Sequence, residues 1–174
     1  MQPSINTDQL LLRPFVNSDA LRVQLLAGHS QIAEMTENIP HPYEIEMAEK
    51  WIETLRPGWE KKTCATFAIC PGDSPEILGC CGLQLSMKHR RASLGYWIGV
   101  DSWNKGYCTE AASAVVAFGF EQLALHRIEA THLSKNPASG AVMRKIGMSH
   151  EATMADYVIK NGCFENVELY SILV

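Results

Sequence analysis

Lys105 and Gly106 sit in a polar turn between a β-rich run that ends at Val100 and an apolar run from Tyr107 to about Leu123. A strand that turns into a helix in this way aims several backbone N–H groups at one spot. The first four N–H groups of a helix have no partner within it, and the helix dipole adds partial positive charge there. Such a spot suits an anion. Gly106 lets the backbone approach a bulky phosphate, Lys105 adds a mobile positive charge and Thr109 offers a hydroxyl, so the residue types fit a pyrophosphate. The plain alternative is a turn that needs glycine for its backbone angle and lysine for solubility. Neither G-x-x-x-x-G-K-[ST] nor G-x-G-x-x-G occurs, which counts against ATP and NAD.

Other reactive side chains are read more plainly. Cys64, Cys70, Cys80, Cys81, Cys108 and Cys163 make no CxxC pair and no metal-ligand spacing with histidine. The first four lie in strand-like runs, where a reduced cysteine packs as a small hydrophobe. Cys108, at the helix mouth, is expected to have a lowered thiol pKa and to be alkylated unless a ligand covers it. His126 and His132 share one face of a strand without a third ligand, so they read as packing or surface residues and no metal is expected. The run "KHRR" (88–91) reads as a solvated hairpin turn, or as an attractor for an acidic substrate. Trp51, Trp59 and Trp97 read as core.

These residues need a scaffold. With 174 residues, 47% hydrophobic and 20% charged, the chain is expected to fold as one domain, 1–174. A net charge of −4 with scattered Lys and Arg argues against nucleic acid as a ligand. "MQPSINTDQLLLRPF" reads as neither signal peptide nor anchor, and the longest uncharged apolar run, Ala111 to Phe120, is about half of the roughly 20 residues that a membrane helix needs. A cytoplasmic protein without membrane partners is expected.

Strands are expected at 9–15, 63–70, 76–86, 92–100 and 126–133, the middle three as an antiparallel meander. Two more follow as a hairpin turned at Asn161-Gly162. Helices are expected at 19–27, capped by Asn17 or Ser18 with Leu21, Leu25 and Leu26 on one face; at 43–59, broken by Pro57-Gly58; at 107–123; and at 137–147. The strand–helix–strand unit from 92 to 133 predicts a parallel pair.

This order of elements, and above all the stretch from Leu94 to Met148, resembles the GNAT superfamily of acyl-CoA-dependent N-acyltransferases. More narrowly, it resembles the RimJ/RimL-like branch that acetylates ribosomal-protein N-termini. The family's Q/R-x-x-G-x-G/A loop is matched by Trp103-Asn104-Lys105-Gly106-Tyr107-Cys108, with Trp103 for the polar first residue and Cys108 where Gly or Ala is usual. "NPAS" (136–139) matches its N-x-x-S.

The resemblance implies an α+β fold of α/β/α layers. Its mixed, largely antiparallel sheet has six to seven strands, with a splayed parallel pair between 92–100 and 126–133, and about four helices. It implies acetyl-CoA as cosubstrate and an amine acceptor. The amides of Lys105, Gly106, Tyr107, Cys108, Thr109 and Glu110 would hold the pyrophosphate, with the Glu110 side chain turned outward. The backbone of Ile98, Gly99 and Val100 would receive the pantetheine arm, and an N–H near Val100 would act as oxyanion donor. Asn136 would contact the pantetheine, although Asn before a helix is also an ordinary cap. Ser139 would stabilise the departing thiolate, and Asp156 is the acidic candidate for the amine's proton, ahead of Glu165 and Glu168.

Acceptor choice is expected to rest on the two N-terminal helices and the last hairpin, which is also where a homodimer could pair. Glu34, Glu37, Glu44, Glu46 and Glu49 keep a polyamine open as acceptor beside a protein N-terminus or an antibiotic amine. A module that senses acyl-CoA without transferring it is the reading from a different class.

Overall fold

A computed structural model describes residues 1–174. Two short strands, β1 (Ile5–Asn6) and β2 (Leu10–Arg13), precede α1 (Ala20–Ala27), α2 (Ser30–Met35) and α3 (Ile45–Glu60). The meander β3 (Cys64–Pro71), β4 (Gly79–Ser86) and β5 (Arg91–Ile98) follows, then α4 (Tyr107–Glu121), β6 (Arg127–Leu133), α5 (Pro137–Lys145), β7 (Ser149–Lys160) and β8 (Cys163–Leu173). They build one eight-stranded sheet in the order β1-β2-β3-β4-β5-β6-β8-β7. Every pairing is antiparallel except β5 with β6.

Period-2 alternation divides the core into two layers. Leu10, Leu12, Phe67, Ile69, Leu83 and Leu94 pack with Val115, Phe118 and Met143 of α4 and α5 on one face. Ala68, Cys70 and Ile77 pack with Val23, Ala48 and Ile52 of α1 and α3 on the other. Burying side chains the size of Phe67 or Leu83 contributes about 1.5–3 kcal/mol each. The α/β/α layering expected from the sequence is what forms.

The differences are local. The sheet has eight strands because Ile5–Asn6 adds a two-residue edge, and there are five α-helices because Ser30–Met35, where the His29 side chain accepts from the Gln31 amide, makes one more turn. On α1 the buried side chains are Ala20, Val23 and Ala27, while Leu21 and Leu25 stand outward. Of the three leucines expected on the inner face, only Leu26 packs against this cluster. Nor do Asn17 and Ser18 cap it: they lie in a 3-10 turn, where Asp19 accepts from the Val16 amide and pairs with Nη1 and Nη2 of Arg13. Pro57 does not end α3 either. The helix runs to Glu60, where Trp59 packs on Phe118 at 6.2 Å, so tertiary packing outweighs the lost hydrogen bond.

Asn161 and Gly162 both have positive φ, 50° and 80°, as their hairpin requires. No helix is long and apolar enough to cross a membrane.

Candidate active site

The parallel pair is short. Arg91 to Leu94 of β5 pair with Arg127 to Ala130 of β6, and beyond Leu94 and Ala130 the two strands no longer pair. A cavity of about 1210 Å³ opens there, above the roughly 300–1,000 Å³ usual for small-molecule sites. Gly95 to Ile98 line one wall; Thr131 to Leu133 and the first turn of α5 line the other.

At one end stands the mouth of α4. Gly106 is its N-cap, with φ +84°, a left-handed conformation that favours glycine. Gly106, Tyr107, Cys108 and Thr109 line the cavity, while the exposed Lys105 flanks it. The Glu110 amide is not available to a ligand, because it donates to the Gly106 carbonyl at 3.1 Å as the first bond of the helix. Its side chain is turned away, as charge repulsion demands. The carboxylate accepts from Thr7 Oγ1 at 2.6 Å and from the backbone and side-chain nitrogens of Gln9 at 2.8 Å. Partial burial alone would raise this carboxyl, but those three hydrogen bonds outweigh it and hold the group below the ordinary carboxylate range.

Cys108 corrects the expectation of a reactive thiol. The residue is partly exposed, yet burial of the thiol near Cys80, Cys81 and Tyr96 pushes it up to about 12. Desolvation, which disfavours the thiolate, is the cause. Cys64, Cys70, Cys80 and Cys81 are buried and free, and Cys163 is exposed on the hairpin. No three His, Cys, Asp or Glu side chains are grouped to hold a metal ion.

Of the backbone expected to receive a pantetheine arm, Ile98 lines the cavity, and Gly99 and Val100 do not. Trp103 Nε1 donates to the Ile98 carbonyl at 2.9 Å, the Gly99 amide donates to Leu78, and the Gly99 and Val100 carbonyls accept from Ser102 and Trp103. None of these bonds uses the Val100 N–H. Asn136 is first a cap: its Oδ1 accepts from the Ser139 amide at 3.2 Å and its Nδ2 donates to the Met35 carbonyl at 3.0 Å. One lone pair and one amide proton remain for a ligand.

Ser139 lines the cavity on the first turn of α5, and Asp156 does not line it. Asp156 sits on an exposed bulge of β7 with φ +51°, its amide donating to Asn166 Oδ1, which leaves its carboxylate without a place in the cavity. Glu165 and Glu168 are outside the lining as well. Lys135 pairs with Glu165, while Glu168 accepts from Ser134, Thr153 and His150.

Local sequence patterns pass over three features. The Tyr96 hydroxyl meets Ser139 across the gap at 3.0 Å. His132 is 9% exposed, stacks on Tyr170 and has a buried Nε2 without a hydrogen-bond partner; a Cβ on Gly140 would come within 2.6 Å of that nitrogen. Lys160, beside the hairpin turn, donates to the carbonyls of Thr36, Glu37 and Ile39 and so ties β7 to the loop between α2 and α3. All three depend on partners distant in the chain. A hydroxyl, imidazole or ammonium inside an otherwise apolar stretch is the available signal.

The other end of the cavity lies under that loop. Met35, Ile39, Tyr43, Trp51 and Trp97 surround it, and Glu37 is the only carboxylate among the lining residues, against Lys135 and Lys145. Trp51 and Trp97 thus serve the cavity as well as the packing, whereas Trp59 belongs to the core.

Residues 9–149 match the sequence family described as the acetyltransferase (GNAT) domain. The chain is 38% identical over 169 residues to the uncharacterized N-acetyltransferase YnaD of Bacillus subtilis, covering 97% of this chain and 96% of the relative. It is 31% identical over 174 residues to the uncharacterized N-acetyltransferase YoaA of the same organism, covering 99% and 98%. Among solved structures, RimL, a ribosomal alpha-N-protein acetyltransferase in complex with coenzyme A, has the same fold. Its TM-score is 0.91 at 17% identity, with 99% of this chain and 98% of that chain covered.

Proposed function

The chain belongs to the GNAT acetyltransferase family and is an N-acetyltransferase, and from that premise we propose that it moves the acetyl group of acetyl-CoA directly to the α-amino group of a protein N-terminus. The observation that carries this reading is the continuous cavity. It runs from the free amides of the α4 mouth, through the gap between β5 and β6, past Ser139, to the aromatic pocket under the α2–α3 loop.

The pyrophosphate of acetyl-CoA would sit on the amides of Tyr107, Cys108 and Thr109, with Gly106 allowing close approach and Lys105 adding charge. The pantetheine arm would fill the gap beside Tyr96 and Ile98, with Asn136 in reach. An N–H at the end of β5, near Val100, would be the donor to the thioester oxygen, a role worth about 2.7–4 kcal/mol where it has been removed elsewhere. Ser139 stabilises the sulfur as it leaves. No cysteine need be acylated, and the buried Cys108 thiol is unsuited to it. With Glu37 the only lining carboxylate, the attacking amine loses its proton to water at the mouth.

The acceptor end favours a single amine on an uncharged chain. A polyamine carries additional positive charges that call for several carboxylates. Of the five N-terminal glutamates that kept a polyamine open, only Glu37 lines the cavity, while two lysines do. The relationship to RimL points the same way. Residues 1–174 would act as one domain, and six free cysteines suit a reducing cytoplasm.

The test is thiol release from acetyl-CoA in the presence of a short peptide with a free N-terminus, spermidine or an aminoglycoside. Release with the peptide is expected. Release with spermidine alone would move the acceptor class to polyamines, and none with any amine would refute the reading.

A further inference from the structure

The Tyr96–Ser139 contact ties one wall of the gap to the other. The phenol oxygen lies 3.0 Å from Ser139 Oγ and 3.0 Å from the Ser139 carbonyl oxygen. One proton cannot make two near-linear bonds at once. A phenol has a single proton and a carbonyl oxygen only accepts, so when Tyr96 donates squarely to the carbonyl, the Ser139 hydroxyl completes the second bond by donating to the phenol oxygen. In that arrangement the serine proton is held by Tyr96. In the other, Tyr96 donates to Ser139 Oγ, and the serine proton is free to point into the cavity. No other protein group hydrogen-bonds to Ser139 Oγ, so Tyr96 sets which way that proton points.

The surroundings suit this task. Tyr96 packs against the core shared with α4 and α5, which fixes the ring. Ser139 is the third residue of α5, held by its amide to the Asn136 cap. Burial pushes the Tyr96 phenol up, against a smaller opposing effect of the Ser139 hydrogen bond, so it stays protonated and works as donor and acceptor instead of as a base.

We propose that Tyr96 is the positioning residue for Ser139, holding the serine proton in the resting site and releasing it toward the sulfur during acetyl transfer. This rests on the acetyltransferase reading given above. As the C–S bond breaks, its electron pair goes to sulfur. The Ser139 O–H turns to donate to that sulfur, and the Tyr96 O–H turns from the Ser139 carbonyl to Ser139 Oγ. No proton changes owner in this rearrangement: the sulfur later takes a proton from water, and water has received one from the attacking amine.

The test is a double-mutant cycle of Tyr96→Phe, Ser139→Ala and the pair, with acetyl-CoA and a short peptide bearing a free α-amino group. Thermal melts establish that each variant folds. Tyr96→Phe is expected to lower kcat roughly tenfold while KM for acetyl-CoA stays within about twofold, since one neutral hydrogen bond is lost and the cofactor contacts are not. In the Ser139→Ala background the same change is expected to cost less than about twofold, because Tyr96 then has no hydroxyl to direct. A loss in that background as large as in the wild type would overturn the proposal and leave Tyr96 a packing residue. So would an unchanged kcat in Tyr96→Phe. These failures occur in an enzyme that turns over; a wild type that releases no thiol with any amine overturns the acetyl-transfer reading, and this inference with it.

Discussion

Replacing Gly106 by alanine and, separately, by glutamate divides backbone strain from charge at the α4 mouth. Gly106 has φ +84°, and a Cβ built there meets nothing within 4 Å, so alanine brings strain without a clash. That strain is about 1–2 kcal/mol. At roughly 2–4 °C per kcal/mol for a chain of this size, the melting temperature should fall by about 2–8 °C in both variants. Glutamate adds a carboxylate facing the proposed phosphate position. At about 5 Å and an effective dielectric constant near 20, each pair of like charges costs about 3 kcal/mol. Since 1.4 kcal/mol is tenfold, Gly106→Glu should bind CoA at least about a hundredfold more weakly than Gly106→Ala. Raising the salt concentration should narrow that ratio. Isothermal titration with CoA, beside thermal melts, measures both quantities. Equal affinities of the two variants would refute the reasoning: either no phosphate lies at this turn, or glycine matters there for conformation alone.

Lys160→Met cuts the tie between β7 and the carbonyls of Thr36, Glu37 and Ile39, so KM for the amine should rise several-fold while KM for acetyl-CoA holds; steady-state kinetics with each substrate varied would show it. With a thiol pKa of about 12, Cys108 is thiolate in only about one molecule in ten thousand at pH 8, so iodoacetamide followed by peptide mass mapping should find exposed Cys163 modified first, with CoA giving it no protection. Hydrogen bonds from Ser134, Thr153 and His150 hold the Glu168 carboxyl down to about 2, from an ordinary value near 4.3. A depressed carboxyl pKa stabilises the fold above the unfolded value and loses that contribution as pH falls through the folded one. The urea midpoints of wild type and Glu168→Gln should therefore differ most near neutrality and converge between about pH 4.3 and pH 2; a gap that stays constant would refute the linkage.

The α4 mouth was legible because its signal is local: an apolar strand, a polar turn with Gly106 and an apolar helix follow one another in the chain. The Asn161-Gly162 hairpin and the strands that alternate onto two core faces were legible for the same reason. The inner face of α1 was not. Leu21 and Leu25 carry more hydropathy than Ala20 and Ala27, yet they stand outward while Ala20, Val23 and Ala27 are buried and Leu26 packs beside them. Pro57 misled in a similar way, because the packing of Trp59 lies outside the reach of a propensity. For Cys108, sequence position argued from the helix dipole alone, while its thiol chemistry is decided by burial among Cys80, Cys81 and Tyr96.

Residue types and their order thus determined most of the elements, the strand–turn–helix at the α4 mouth and the family to which the chain belongs, since each is written in short-range pattern. The tertiary structure decided where β5 and β6 part, which of five glutamates faces the cavity, that Asp156 lies outside it, and that the Tyr96 phenol meets Ser139 43 residues away. Pairing, burial and hydrogen bonding between distant segments depend on how the layers close over one another, and no local stretch of sequence carries that information.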